Sequence, residues 1–193
     1  MMKDIMVDLE TADNVPGGAL FSCAAVQCDL TTGETGEEIH RNIDLQSCLD
    51  AGLTVSGDTI YWWLKQSNEA RKSLDTLKKI SLNEFCKELN GFVKFIADKQ
   101  KISPKLFRVW GNGASFDNAF IRYAYRAVGQ EFIVPFWNDR DVRTVVGFYP
   151  NNLFQDLKIN IPRTESHNAL HDAKYQVKYV SQIMKDLGVT ELY

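Results

Sequence analysis

The residues whose types and spacing could do chemistry begin with Asp8 and Glu10, which close the run DIMVDLET at positions 4–11. Side chains two apart in a strand project from one face, so the two carboxylates stand side by side with Met6 behind them. Unbroken apolar character over Ile5, Met6 and Val7 points to burial on both faces, the pattern of a central strand in a helix-covered sheet. Open α/β sheets gather their ligands at the carboxyl ends of such strands. Two ionised carboxylates so close need a shared proton, water or a cation. A cation is the sharper expectation, although a strand ending in solvent could carry the same acids for solubility.

Two further stretches carry acids or imidazole in suggestive settings. In WGNGASFDNAFI, Ser115 reads as a helix N-cap, which puts Asp117 in the first turn, near the positive end of the helix dipole. In SHNALHDAKYQ, Asp172 follows His167 by five positions, about a turn and a half of helix. His167 is therefore expected on the loop leading into that helix, where an imidazole beside a helix-borne carboxylate can act as a general base. Each fragment alone also fits an ordinary helix-start acid or a surface histidine.

The elements that must position these groups follow from the apolar patterning. After the first strand, NVPGG turns the chain, and Ala19–Leu30 reads as a second buried strand. The TTGETG turn makes the next strand, near Glu37–Ile43, antiparallel to it. A helix is predicted over TIYWWLKQSNEARKSL with Asp58 as N-cap and Ile60, Trp63 and Leu64 on one face. Another runs from Ser81 to Asp98, opened by a Ser81/Glu84 capping box and carrying the stripe Leu82, Phe85, Leu89, Phe92, Val93 and Ile96. Leu106–Gly113 is a short strand ending in glycines and leading into a helix over Ser115–Val128, a βα unit. A further short strand precedes a helix starting near Asp141, and a last helix spans Ala169–Leu187, stopped by Gly188. Strands clustered early and βα units later give an α/β chain with a mixed sheet flanked by helices.

At 193 residues, with 45% apolar and 24% charged, the chain reads as one domain, 1–193, with a full core. It contains no apolar run near the ~20 residues of a membrane span and no signal-peptide pattern, so a cytoplasmic protein with no membrane partner is expected. Four cysteines, Cys23, Cys28, Cys48 and Cys86, without CxxC spacing or clustered histidines read as reduced and packed. A net charge of −3 argues against a broad basic face for long nucleic acid, yet leaves room for phosphate at a metal site. Size and acidic balance are compatible with a homodimer but do not demand one.

Taken together, DLET, NGASFDNAFI and HNALHD resemble, in order and at domain-scale spacing, the three motifs of the DEDDh branch of the DnaQ-like 3′-5′ exonucleases in the RNase H-like superfamily. DTIYWWLKQSNEARKSL and FWNDRDVRT resemble a smaller branch that includes phage exodeoxyribonucleases and bacterial exoribonucleases. The resemblance implies an RNase H-like mixed central sheet of about five strands flanked by helices. It also implies Asp8, Glu10, Asp117 and Asp172 as ligands of two Mg²⁺ or Mn²⁺ ions, with His167 as general base. The implied reaction is hydrolysis from the 3′ end of single-stranded nucleic acid or short oligonucleotides, DNA slightly favoured, releasing nucleoside 5′-monophosphates. RNA trimming of the oligoribonuclease type and a silent module that binds nucleic-acid ends are the alternatives.

Single strands without sequence readout are held by stacking on aromatics and by cations along the backbone. Trp62 and Trp63 are adjacent on one helix, so their rings diverge by about 100° and only one can face the core. By its match to the branch, Trp63 is expected near the nucleotide, with Gln66. Phe116 is a wall or core residue, and Asn112 and Ser115 are hydrogen-bond candidates. Arg143, Arg140 and Arg122 are phosphate candidates, unless DRD builds an internal salt-bridge network.

Overall fold

β1, Asp4–Thr11, is the central strand, and its alternation separates two cores. Ile5, Val7 and Leu9 enter one, whereas Met6 enters the other. β1 pairs antiparallel with β2 (Leu20–Asp29), which pairs antiparallel with β3 (Glu34–Asn42). On its other side it pairs in parallel with β4 (Arg108–Gly111), which pairs in parallel with β5 (Asp139–Asp141). The sheet is thus mixed and five-stranded, in the order β3-β2-β1-β4-β5. This computed structural model describes residues 1–74, 78–163 and 167–192.

Register decides what meets at the site. Met6 pairs with Trp110 and Gly111 with Asp141, so β1 runs on past β4 and carries Asp8 and Glu10 beyond the last pairing. The carboxyl ends of three parallel strands lie together there, where ligand sites of open α/β sheets form. At the opposite end, Asp4 is buried but doubly satisfied. It accepts from Arg108 Nε and Nη2 at 2.7 and 2.9 Å and from Trp110 Nε1 at 2.8 Å.

The first core is covered by α4 (Leu82–Gln100) and α5 (Ala119–Ala127). Ser81 accepts from the Glu84 N–H at 3.2 Å, as its capping position predicts. The helix outruns the expected Asp98 by two residues and stops where Lys101 adopts φ 55°. The second core is covered by α8 (Ala169–Asp186), capped by Asn168, whose side chain accepts from the His171 N–H. Its buried stripe includes Asp172, Gln176, Val180 and Ile183, so one turn separates the two polar members at its amino end.

Several expectations need correction. The helix foreseen over residues 59–74 is two, α2 (Gly57–Leu64) and α3 (Asn68–Leu74), with Ser56 rather than Asp58 at the first N-cap position. Lys65 and Gln66 donate back only three residues, to Trp62 and Trp63, and Ser67 Oγ then accepts from the Ala70 N–H to open α3. Ser115 is no N-cap. The chain leaves β4 through Gly113 (φ 127°) into a π-helical turn, Ala114–Asn118, that runs straight into α5. Short helices α1 (Leu45–Asp50), α6 (Val142–Gly147) and α7 (Asn151–Asn160) complete the chain; of these only α6 was foreseen. The four cysteines are free and buried. Among the described residues, no helix is long and apolar enough to cross a membrane.

Candidate active site

β1 delivers Asp8 and Glu10 to the α8 side of the sheet, the face on which Met6 lies. Gln176 meets them from α8, its Nε2 donating to Asp8 Oδ1 at 2.7 Å. Asp172, one turn earlier on α8, reaches the same space. Glu10, His167 and Asp172 each place a donor atom within 4.8 Å of the others. Asp117 enters from the π-helical turn and is buried there.

Close approach explains Gly111. A Cβ there would collide with Asn118 Oδ1 and stand 2.7 Å from Asp117 Cβ, so only glycine lets the turn fold back on its own strand. Asn118 anchors that turn by donating to the Val109 carbonyl at 2.9 Å.

His167 sits at φ 62°, a left-handed conformation, immediately before the Asn168 cap. Its backbone N–H donates to Asp172 Oδ2 at 3.0 Å, while Asp172 Oδ1 accepts from Arg163 Nε and Nη2 at 3.1 and 2.8 Å. The imidazole lies edge-on to Trp62 and Trp63, at centroid distances of 5.0 and 5.9 Å. Ser73 of α3 donates to the His167 carbonyl at 3.2 Å, so α2 and α3 both buttress this segment.

The electrostatics are those of a crowded anionic site. Burial, then the charges of Asp117, Glu10 and Asp172, push the Asp8 carboxyl well above its ordinary value, against the pull of the Gln176 amide. Burial, followed by Asp172 and Asp117, lifts Glu10 to about 8, with Arg163 opposing. Burial lifts Asp117 to about 7, opposed by backbone N–H groups and by Arg143. The His167 imidazole is pushed below its usual value, first by partial burial and also by Arg163, against Asp172.

Repulsion of this kind is relieved by a positive ion. The donors are mainly carboxylate oxygens, which suit a hard divalent cation. Gln176 Oε1 is also buried with no hydrogen-bond partner among the described residues. These residues fit a metal ion.

Two clefts flank the carboxylates. One, about 430 Å³, is lined by Glu10, Thr11, Asp58, Trp62, Trp63 and Phe116 among others. The other, about 250 Å³, is lined by residues including Asp8, Asn112, Arg143, Lys158, Arg163 and Asp172. Trp63 is the buried member of the tryptophan pair, its Nε1 donating to the Thr11 carbonyl at 2.9 Å, whereas Trp62 is 44% exposed and offers the open ring.

Of the remaining sequence candidates, Asn112 and Arg143 line the cationic cleft and Phe116 the aromatic one. Gln66 turns back on the end of α2 and donates to the Trp62 carbonyl, and exposed Ser115 lines neither cleft. Arg122 is an internal ion-pair residue, bound through Nε and Nη2 to Asp139 at 2.7 and 2.5 Å. Arg140 donates to the Trp137 and Asp139 carbonyls and lines a separate surface cavity with Lys3 and Lys105. Sequence reasoning missed Gln176, Lys158 and Arg163. For Gln176 a signal existed: it lies one turn beyond Asp172 on an otherwise apolar stripe.

The chain is similar to several known nucleases. The exodeoxyribonuclease of Enterobacteria phage T4 is 28% identical, over 74% of this chain and 70% of that protein. The zinc-bound E. coli ExoI–ssDNA complex superposes with a TM-score of 0.67 at 13% identity, covering 96% of this chain, which spans 41% of that one. The nuclease domain of 3′hExo, a DEDDh family member bound to rAMP, gives 0.63 at 13% identity, covering 98% and 94% of the two chains. S. pombe Pop2p in its Mg²⁺- and Mn²⁺-bound form gives 0.62 at 13% identity, covering 99% and 86%. At such identities the structures establish the fold, the RNase H-like fold of the DnaQ exonucleases. The description of the 3′-5′ exoribonuclease Rv2179c-like domain matches residues 3–184, and the chain belongs to that family.

Proposed function

We propose that the protein is a metal-dependent 3′-5′ exonuclease of the DEDDh type, acting on single-stranded nucleic acid and short oligonucleotides and releasing nucleoside 5′-monophosphates. The observation that carries this reading is the convergence of Glu10, His167 and Asp172 within 4.8 Å, with buried Asp8 and Asp117 beside them. Asp8, Glu10, Asp117 and Asp172 would hold two Mg²⁺ or Mn²⁺ ions. Bound there, such ions neutralise the scissile phosphodiester and acidify water.

The chain's own residues supply the rest. His167, its pKa depressed, is neutral near pH 7 and takes the proton of the attacking water. Asp172 Oδ2 holds the His167 backbone in place, and Gln176 fixes Asp8 Oδ1. The terminal base and sugar enter the aromatic cleft, where Trp62 and Phe116 offer stacking surface and Glu10 faces the sugar end.

The test is to incubate the protein with Mn²⁺ and matched 5′-labelled DNA and RNA oligomers. The expected result is a ladder shortening from the 3′ end with nucleoside 5′-monophosphates released, and the two rates report the sugar preference. Asp8→Asn should abolish release. Retention of labelled ends without cleavage by the wild type would instead favour a module that only binds them.

A further inference from the structure

We propose that the cleft lined by Arg143, Lys158 and Arg163 seats the phosphodiester on the 5′ side of the scissile bond, so that the substrate strand leaves the site across α7. The inference rests on the exonuclease reading and adds a strand path to it.

The two clefts differ in charge. The described residues lining the aromatic cleft include Glu10, Asp13 and Asp58 and no lysine or arginine, so a second phosphate would be repelled there. The other cleft brings three cations from three segments: Arg143 from the start of α6, Lys158 from the end of α7, and Arg163 from the chain beyond it. Asp8 and Asp172 line the same cleft, so it adjoins the candidate reacting centre directly. A 3′-terminal nucleotide has its base and sugar on one side of the scissile phosphate and the next phosphate of the chain on the other. Charge therefore orients the strand, with the nucleoside among the aromatics and the following phosphate among the cations.

Pairing sharpens the contrast. Arg41, Lys99, Arg108, Arg122 and Lys174 each meet a carboxylate within 4.0 Å. Among the described residues, neither the Arg143 guanidinium nor the Lys158 ammonium forms an ion pair. Lys158 Nζ lies 5.4 Å from the Phe154 ring centroid, and its carbonyl accepts from Tyr175 Oη at 3.1 Å, which ties the end of α7 to the rim. Arg163 gives two of its five donors to Asp172 Oδ1, with its guanidinium carbon 5.5 Å from the Tyr175 ring centroid. Helix α7 buries none of its residues fully and packs only Phe154 and Leu157 against the second core. It contributes little to that core and much to the cleft.

Lys158→Ala tests this, because the side chain is exposed and its removal leaves the core untouched. Two substrates separate the subsites: a trinucleotide, and the p-nitrophenyl ester of thymidine 5′-monophosphate, which has no upstream phosphate. In Lys158→Ala, the ratio of kcat/KM for the trinucleotide to that for the ester should fall about 3- to 10-fold, the loss of one charge-assisted contact. Lys158→Arg should restore it. The slope of log KM for the trinucleotide against log salt should lessen by roughly 0.7 in Lys158→Ala, the value for one phosphate contact on a single strand. An unaltered ratio and slope, or equal losses on both substrates, would overturn the subsite. Wild type hydrolysing neither substrate would remove the exonuclease reading itself, and the subsite with it.

Discussion

His167 combines an unfavourable backbone with a poised side chain. Its φ of 62° is unusual for a residue with a Cβ, and it persists because the N–H is bound to Asp172, the carbonyl accepts from Ser73, and Asn168 caps α8 immediately after. The imidazole is thereby delivered to Glu10 and Asp172. Asparagine tolerates the left-handed region and cannot act as a base. His167→Asn should therefore melt within a few degrees of the wild type while kcat falls by about 10²- to 10⁴-fold, the usual worth of a positioned base. Thermal melting and oligonucleotide turnover measured on one preparation check both halves, and a retained rate would remove His167 from the base role.

At the scale of elements, the approach of the π-helical turn to β4 sets the position of Asp117. Gly111→Ala would drive its methyl group into Asn118 Oδ1 and Asp117 Cβ, both buried. Overpacking of this kind costs about 1–3 kcal/mol, and the turn must shift Asp117 to relieve it. The expected outcome is a lowered melting temperature together with weaker Mn²⁺ binding by calorimetry. Loss of stability alone, with metal affinity intact, would mean that Asp117 does not depend on this packing. The same region shows where sequence reading stops. Asp8 and Glu10 could be placed because strand alternation is insensitive to small errors of boundary, and Asp172 because α8 has a regular apolar stripe. The π-helical turn could not, since Ser115 ahead of an acid mimics an ordinary N-cap. Two adjacent tryptophans announce that one faces in and one out, but which is which follows from the Trp63 hydrogen bond to Thr11, a contact across 52 residues of chain. Lys158 escaped notice because α7 buries nothing fully and so lacks the apolar periodicity by which helices are recognised, and Arg163 because it lies beyond that helix in irregular chain. The break between α2 and α3 turns on the hydroxyl of Ser67, a residue equally at home inside a helix surface.

Across the whole molecule, the carboxylates place the fold in tension with its own site. Glu10 and Asp117 rise to about 8 and about 7 from ordinary values of 4.5 and 3.8, and Asp8 is raised with them. Between those limits the folded chain binds more protons than the unfolded chain, so the metal-free protein loses stability as pH climbs from about 4 to about 8. His167 and His40, with depressed pKa values, contribute the opposite slope, as does Asp29 at lower pH, but none of the three belongs to the crowded carboxylate group that sets the trend. A divalent ion bound only by the folded chain reverses the loss, by about 2.7 kcal/mol at one hundred times its dissociation constant. For a chain near 200 residues that corresponds to a rise of about 5–10 °C. It binds the ionised carboxylates, so its effect grows as they deprotonate. The difference in melting temperature between saturating Mg²⁺ and EDTA should be close to zero near pH 5 and reach its full value near pH 8. Glu10→Gln, which removes one of the raised carboxyls, should flatten the EDTA curve. A Mg²⁺ increment equal at both pH values, or an EDTA curve level from pH 5 to pH 8, would show that these side chains do not share one electrostatic site.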